Sequence, residues 1–221
     1  MPFIVFEMLP CRHALADEHG FIVQDGTFYA YLGESTEVKV PEDVRKVASG
    51  AFAENRKYRR LFLPESVTEI GEGAFRGCGD LFELRILSGK VRTLGEDPFG
   101  GCRRLVTVTV PGMTTADFAD VQEQTAAALG FCEKSTLYTP ETAAAYRKYL
   151  EAEQERILKT AVNESLTDAV RYFTEQDMLS DTGYFEILEY AQNRKAMEIV
   201  AVLLDHRKKR EDLDEFSRYD I

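Results

Sequence analysis

One stretch of the chain, residues 38–111, repeats the same pattern at a nearly fixed period. Phe52, Phe75 and Phe99 lie 23 and then 24 residues apart. The same steps separate two further columns, Val47, Ile70 and Leu94, and Tyr58, Leu81 and Leu105. A period in the twenties is typical of a solenoid, because one unit is too small to bury its own apolar face and must stack on its neighbours. The period therefore predicts stacked coils that share one apolar core.

Each repeat begins with a short alternating segment, which predicts a strand. Since side chains alternate along a strand, every second residue should point into the core. The inward pairs are Val38 and Val40, Leu61 and Leu63, Leu84 and Ile86, and Val108 and Val110; the outward residues between them are Lys39, Phe62, Arg85 and Thr109. The rest of each repeat spaces its apolar residues three to five apart, which predicts short helical or 3₁₀ turns opposite the strands.

Different patterns flank the repeats. Residues 21–32 alternate like strands around Asp25-Gly26, a strong hairpin signal. After Gly112 the composition favours helices. The first predicted helix begins with a capping-box pattern at Thr114 and Asp117 and ends at Gly130 as its C-cap. We predict an α/β fold class: an N-terminal cap with a β-hairpin in residues 1–37, a solenoid in residues 38–112, and an all-α domain in residues 113–221.

The helical part should contain five helices, and four of them show an apolar stripe. After the helix that ends at Gly130, helices are expected at residues 140–163, 165–175, 184–191 and 195–207. The predicted stripes are Phe118, Val121, Thr125 and Leu129; Leu166, Ala169, Val170 and Phe173; Phe185, Leu188 and Ala191; and Met197, Val200, Ala201 and Leu204. Short connections between such helices favour antiparallel pairs.

Composition excludes some classes of partner and indicates the cellular compartment. With 38 acidic and 27 basic residues the formal charge is -11, which disfavours nucleic acid and anionic lipid. The chain contains no run of about 18 apolar residues that would predict a transmembrane helix. The N-terminal residues do not form a signal-peptide pattern, and the four cysteines are not closely paired. These features predict a cytoplasmic protein.

The second repeat carries a family resemblance. The stretch from Leu63 to Leu81 reads LPESVTEIGEGAFRGCGDL and resembles the BspA-type leucine-rich repeat of bacteria, which also occurs in treponemal surface proteins. The resemblance covers residues 21–111. It implies a right-handed leucine-rich solenoid with its strands on the concave side, and a binding or adhesion role. Many proteins of this family are secreted and anchored to the cell surface. In the third repeat Pro98 replaces the family's alanine.

A weaker resemblance covers about fifty residues of the helical part. Residues 161–173 and 187–204 resemble two degenerate ankyrin helix pairs, although the TPLH signature of that repeat is absent. This resemblance also implies protein recognition.

Few residues suggest chemistry other than binding. The Gly71–Gly77 segment lacks the spacing of phosphate-binding loops, and the repeat explains it as a turn. Cys11, His13 and His19 have no second half of a zinc site, and His206 is better explained as a helix-end residue. We therefore predict no catalytic residue, no metal and no cofactor.

The outward strand face is the predicted binding surface. Its candidate residues are Arg60, Phe62, Glu83, Arg85, Thr107 and Thr109. An exposed aromatic residue flanked by arginines is typical of an interaction hot spot. The alternative is that Glu37, Arg60 and Glu83 simply pair with one another across neighbouring strands.

Three classes of function remain open from the sequence. The first is a non-enzymatic interaction module that binds a protein or peptide through the strand face or the groove between the two halves. The second is a surface or secreted adhesin that binds a host protein or carbohydrate. The third is an enzyme, for which no motif places a nucleophile, a base and an orienting group together.

Overall fold

The predicted solenoid is present, and it is built from two four-stranded sheets. The computed structural model describes residues 16–217, with side chains as far as Arg210. The first sheet is entirely parallel and contains β3, β5, β7 and β8 in that order. Its strands are β3 (Glu37–Lys39), β5 (Arg60–Leu63), β7 (Glu83–Ile86) and β8 (Thr107–Thr109). All the predicted inward residues of these strands are buried, so the alternation in the sequence identified the core side correctly.

The second sheet joins the hairpin to the back of the coils. It consists of β1 (Phe21–Gln24), β2 (Thr27–Tyr31), β4 (Lys46–Val47) and β6 (Glu69–Ile70). The hairpin pair is antiparallel, as predicted, and the remaining pairs are parallel.

The predicted turns opposite the strands are present, but each is a single turn with bonds of the 3₁₀ type, such as Cys102 N to Phe99 O at 2.8 Å, and none extends into a helix. Residues 38–111 contain two-residue strands and turns there, without a helical segment. The reason is stacking: at this position the main chain bonds to the previous coil, as in the 2.8 Å bond from Gly71 N to Val47 O. Main-chain groups satisfied between coils do not need partners within a helical turn.

A ladder of aromatic rings runs through the core. The ring centroids of Phe28, Phe52, Phe75, Phe99 and Phe118 follow one another at 4.5, 5.7, 5.8 and 6.5 Å, each pair stacked. The three central rings are those that set the sequence period. Phe28 of the hairpin and Phe118 of the helical part extend the ladder at its two ends, so both flanking regions close the solenoid with the same kind of contact.

Within residues 16–217, six α-helices follow the solenoid. They are α1 (Val121–Lys134), α2 (Pro140–Ala152), α3 (Gln154–Asn163), α4 (Thr167–Glu175), α5 (Asp181–Asn193) and α6 (Met197–Ser217). Thr114 and Asp117 do form the predicted cap, but on a 3₁₀ turn, and α1 begins later with Asp120 as its N-cap. The predicted helix at 140–163 is two helices, because the chain leaves helical geometry at Glu153.

The last four helices form two stacked hairpins related by a shift of 30 residues. Ser165 and Lys195, which connect the helices of each hairpin, both have φ of 58°. Their neighbours make the same contact, from Leu166 N to Ala161 O at 2.8 Å and from Ala196 N to Ala191 O at 2.9 Å. The equivalence indicates an internal repeat; its ankyrin-like character stays a prediction.

The apolar stripe predicted for α4 is confirmed, whereas those predicted for α5 and α6 are buried only at Ala191 and Val200. In α5 the buried residues are Tyr184, Ile187 and Ala191, while Phe185 is 51% exposed. In α6 they are Ile199, Val200 and Leu203, whereas Met197 is 67% and Leu204 is 49% exposed. The described residues show the reason: this hairpin buries the face that packs on the first hairpin, and Phe185, Met197 and Leu204 lie on its other side.

Helix α1 packs directly on strand β8, which joins the two halves. Gly130 lies within α1 and is not the predicted C-cap; a Cβ atom there would lie 2.3 Å from the carbonyl oxygen of Val108. Glycine is therefore needed for the close approach of helix and strand. The buried core is continuous across this contact, and the boundary proposed between residues 112 and 113 stays a prediction.

Candidate functional site

The outward residues of the first sheet form two straight columns. In parallel register, Arg60 lies between Glu37 and Glu83, and Phe62 lies between Lys39 and Arg85. Thr107 and Thr109 extend the two columns onto β8. The stacking therefore brings all six predicted binding residues onto one surface, which is what a repeat of constant period achieves.

Helix α1 covers one end of this surface. Thr107 is 2% exposed and Thr109 is 1% exposed, and the Thr109 hydroxyl donates to the carbonyl oxygen of Gly130 at 3.4 Å. Thr107 and Thr109 lie on the outward side of the strand, as predicted, but α1 packs over both of them, so neither is accessible to a partner. The sequence could not reveal this, because alternation identifies the side on which a residue lies but not what packs against that side.

Glu83 and Arg85 also belong to the contact with α1. The Arg85 guanidinium forms ion pairs with Glu83 in its own strand and, at 3.2 Å, with Glu133 of α1. Burial raises the pKa of Glu133, the neighbouring Glu83 raises it further, and Arg85 opposes both effects. The two carboxylates and the guanidinium thus form an ion-pair network between α1 and the sheet. Glu83 is only 8% exposed, so it is not accessible to a partner.

The other end of the surface is open. Phe62 is half-buried, with Lys39 Nζ 5.8 Å and the Arg85 guanidinium carbon 5.6 Å from its ring centroid. These distances are within the range of cation–π contacts. Arg60 pairs with Glu37 at 2.8 Å, as the charge-pairing alternative predicts for that pair. Because an exposed ion pair contributes only about 0.2–1 kcal/mol, a partner could replace it at small cost.

A groove of about 510 Å³ lies between the solenoid and the helices. Phe82 and Val106 of the last coils face Val121 and Thr125 of α1 across it. Val121, predicted to be part of a buried stripe, is instead 52% exposed. Three arginines border the groove: Arg103 and Arg104 from the last coil and Arg156 from α3. The sequence did not indicate these arginines as a group, because the last coil and α3 are distant in the chain and come together only when α3 packs beside the solenoid.

The other residues considered in the sequence lie apart from this surface. Gly71 and Gly77 belong to turns of the second repeat, and His206 lies in α6. Cys11 and His13 are outside the described residues, and His19 lies at an exposed turn. Among residues 16–217, no three side chains come together as metal ligands. Within the same range, no helix is long and apolar enough to cross a bilayer.

The comparison with protein families agrees with the repeat architecture. Residues 22–123 match the model of the BspA type leucine rich repeat region, in six copies. The match begins inside the hairpin and ends inside α1. The crystal structure of the T. pallidum leucine rich repeat protein matches with 29% identity over 40% of this chain and 44% of its own, with a TM-score of 0.37. The match thus spans less than half of that protein. No curated protein matches the chain.

Proposed function

We propose that this chain, in which residues 22–123 are a BspA-type leucine-rich repeat region, is a non-enzymatic interaction module that binds a protein or peptide. The observation that supports this function is the open end of the strand face, where Phe62 lies between Lys39 and Arg85. An aromatic ring held between two cations offers apolar contact and charge at one point, which is the chemistry of a hot spot.

The stacked core favours such a role. Because the coils share one ladder of rings, the outward side chains have fixed positions, and a partner does not have to order them on binding. In this proposal the partner contacts Lys39, Arg60 and Phe62. Arg85, on the neighbouring strand, helps to position the Phe62 ring. Glu83, Thr107 and Thr109 are covered by α1 and do not contact the partner.

The net charge bears on the class of partner, and the cysteines bear on the cellular compartment. A formal charge of -11 disfavours nucleic acid as the partner. Within the described residues, Cys78, Cys102 and Cys132 are free thiols, which is consistent with a reducing compartment. A cytoplasmic location is therefore part of the proposal.

The test is a binding measurement on a variant that removes only exposed groups. Partners recovered by affinity capture would be titrated against wild type and against Lys39→Ala/Phe62→Ala by calorimetry. We expect at least about a tenfold weaker affinity, because hot-spot truncations cost this much or more.

Lys46→Ala is the matched control, since it removes an exposed lysine from the second sheet. The control should bind like wild type. If the double variant also retained full affinity for every recovered partner, the strand face would not be the binding surface. Arg85 is left unchanged, because its removal would leave the carboxylates of Glu83 and Glu133 buried without their cationic partner and would disturb the fold.

A further inference from the structure

Cys78 and Cys102 occupy the same position in adjacent coils. The main chains before them are in contact: Gly77 N donates to Gly100 O at 2.7 Å, and a Cβ atom added to Gly101 would lie 3.2 Å from the Cα atom of Gly77. Chains that bond side by side in this way lie about 4.8 Å apart, which is within the Cα separation of about 4.4–6.8 Å that disulfides show. Stacking of the coils therefore places the two cysteines at the separation of a disulfide pair.

The Cys102 thiol points toward the coil that contains Cys78. It donates to the carbonyl oxygen of Phe75 with an Sγ–O distance of 3.0 Å, and Cys78 N donates to that same oxygen at 3.3 Å. The Cys78 thiol points one coil further back, to the carbonyl oxygen of Phe52. A rotation of Cys78 about χ1, from one staggered rotamer to another, is the movement that brings its sulfur toward Cys102.

The two thiols differ in their access to solvent. Cys78 is fully buried, whereas Cys102 is slightly exposed and borders a cleft of about 120 Å³. Hydrogen peroxide is only slightly larger than water, whose share of the liquid volume is about 30 Å³, so it fits this cleft. Because Asp97, Asp120 and Glu123 also border the cleft, a small neutral oxidant is favoured there over a large anionic one.

Pairing also makes Cys102 the more acidic of the two thiols. When Cys102 is ionised, the Cys78 thiol can turn away from Phe52 and donate a hydrogen bond to it, and this hydrogen bond lowers the pKa of Cys102 against the opposing effect of burial. The same pairing, together with burial, raises the pKa of Cys78. Since the thiolate is the nucleophilic form of cysteine, Cys102 is the thiol that reacts first.

We propose that Cys102 and Cys78 are a site of oxidation by hydrogen peroxide, at which a reversible disulfide joins the second and third repeats. The Cys102 thiolate attacks one peroxide oxygen and the O–O bond breaks, which leaves a sulfenic acid on Cys102; the released hydroxide becomes water with the proton that Cys102 had lost. The Cys78 sulfur then attacks the Cys102 sulfur, the S–O bond breaks, and the hydroxyl group leaves as water with the Cys78 proton. Two thiols and one peroxide thus give one disulfide and two waters. A thiol reductant reverses the reaction by exchange.

The experiment is a titration of the folded, reduced full chain with hydrogen peroxide. Catalase would stop the reaction, the remaining thiols would be alkylated in guanidinium chloride, and tryptic peptides would be analysed by mass spectrometry. Trypsin places the two cysteines in separate peptides, residues 77–85 and 93–103, so the disulfide joins these peptides with the loss of two hydrogen atoms. We expect this linked pair to accumulate and to disappear after treatment with dithiothreitol.

Three variants separate the pair from the other cysteines. Cys78→Ser removes the second thiol but keeps a hydrogen-bond donor, so Cys102 should stop at the sulfenic acid, which dimedone traps. Cys132→Ser and Cys11→Ser should both form the linked pair as wild type does. In wild type, Cys132 is the internal control, because it is buried and burial raises its pKa; it should stay reduced. Circular dichroism would confirm that all the proteins are folded.

Other outcomes would overturn the proposal. A linked pair that formed only in protein unfolded by guanidinium chloride would show that the fold keeps the two sulfurs apart. Oxidation of Cys132 as rapid as that of Cys102 would show that neither pairing nor the cleft matters. Conversion of Cys102 to a sulfinic acid in wild type without the linked pair would mean that Cys78 does not reach it, and full recovery of both cysteines as alkylated thiols would mean that the site is not oxidised.

Discussion

The thiol of Cys78 donates a hydrogen bond to the main-chain carbonyl oxygen of Phe52, one coil earlier, with an Sγ–O distance of 3.0 Å. Cys102 makes the same contact with the carbonyl oxygen of Phe75, also at 3.0 Å. The cysteine of each repeat thus bonds to the phenylalanine of the preceding one. Asn55, at the same phase in the first repeat, accepts from Lys57 N and Tyr58 N instead.

This contact makes Cys78→Ala a test of the bonding between coils. The substitution should lower the free energy of unfolding by about 1–3 kcal/mol, because it leaves a buried carbonyl without this donor. Urea unfolding followed by circular dichroism would measure the change. Cys78→Ser keeps a donor and should lose less; equal losses in both variants would show that the hydrogen bond contributes little.

The ring of Phe75 is fully buried between those of Phe52 and Phe99. Phe75→Ala should therefore cost about 3–5 kcal/mol, the usual range for deletion of a core aromatic side chain. Phe185→Ala is the control with the same chemical change at a residue that is 51% exposed, where we expect a loss within about 0.5 kcal/mol. A thermal midpoint of Phe75→Ala equal to that of wild type would contradict the stacked core.

Adjacent leucines in α6 distinguish its buried face from its open one. Leu203 is fully buried and Leu204 is 49% exposed. We expect Leu203→Ala to lose about 2–5 kcal/mol and Leu204→Ala to lose about 0.5 kcal/mol or less. Chemical denaturation of the two variants would measure both, and the reverse order would mean that the helix is rotated relative to the described packing.

Gly130 and Gly183 are both helical, yet replacement by alanine should act in opposite directions. At Gly130 the new Cβ would lie 2.3 Å from the Val108 carbonyl oxygen, so α1 would have to shift, at about 1–3 kcal/mol. At Gly183 the nearest atom is the Ser180 hydroxyl oxygen at 3.3 Å, and the unfolded chain would lose entropy. Gly183→Ala should therefore stabilise by about 0.4–1 kcal/mol. Stabilisation by both substitutions would contradict the close contact between α1 and β8.

The buried carboxylate of Glu133 should make stability depend on pH. Burial raises the pKa of Glu133 in the folded protein above its unfolded value of about 4.3, so the native state binds this proton more tightly. The contribution of Glu133 to stability is therefore full below that unfolded value and is lost as the pH rises through the raised folded value. Glu133→Gln cannot ionise and lacks this loss.

The stability of Glu133→Gln relative to wild type should accordingly increase between pH 4 and pH 8. Urea unfolding at several pH values would measure the difference. Glu151→Gln, on the exposed side of α2, reports the effect of removing one surface charge. A Glu133→Gln difference that decreased with pH would mean that the ion pair with Arg85 outweighs burial.

The sequence alone determined the repeat, its period and the two sides of its strands. A constant spacing of Phe52, Phe75 and Phe99 requires equivalent positions in successive coils, and alternation around Phe62 identifies the inward and outward sides of the strand. The hairpin at Asp25-Gly26 and the capping box of Thr114 and Asp117 were likewise predictable, because turn and cap chemistry is local.

Only the tertiary structure decided which surfaces remain accessible. Thr109 lies outward in sequence but is covered by α1, and Phe185 and Leu204 match an apolar stripe but are exposed. Arg103 and Arg156 border one groove although they belong to different halves of the chain. The reason is physical: periodicity describes how a residue is placed within its own element, whereas burial and proximity depend on what packs against that element, which is set by contacts between distant segments.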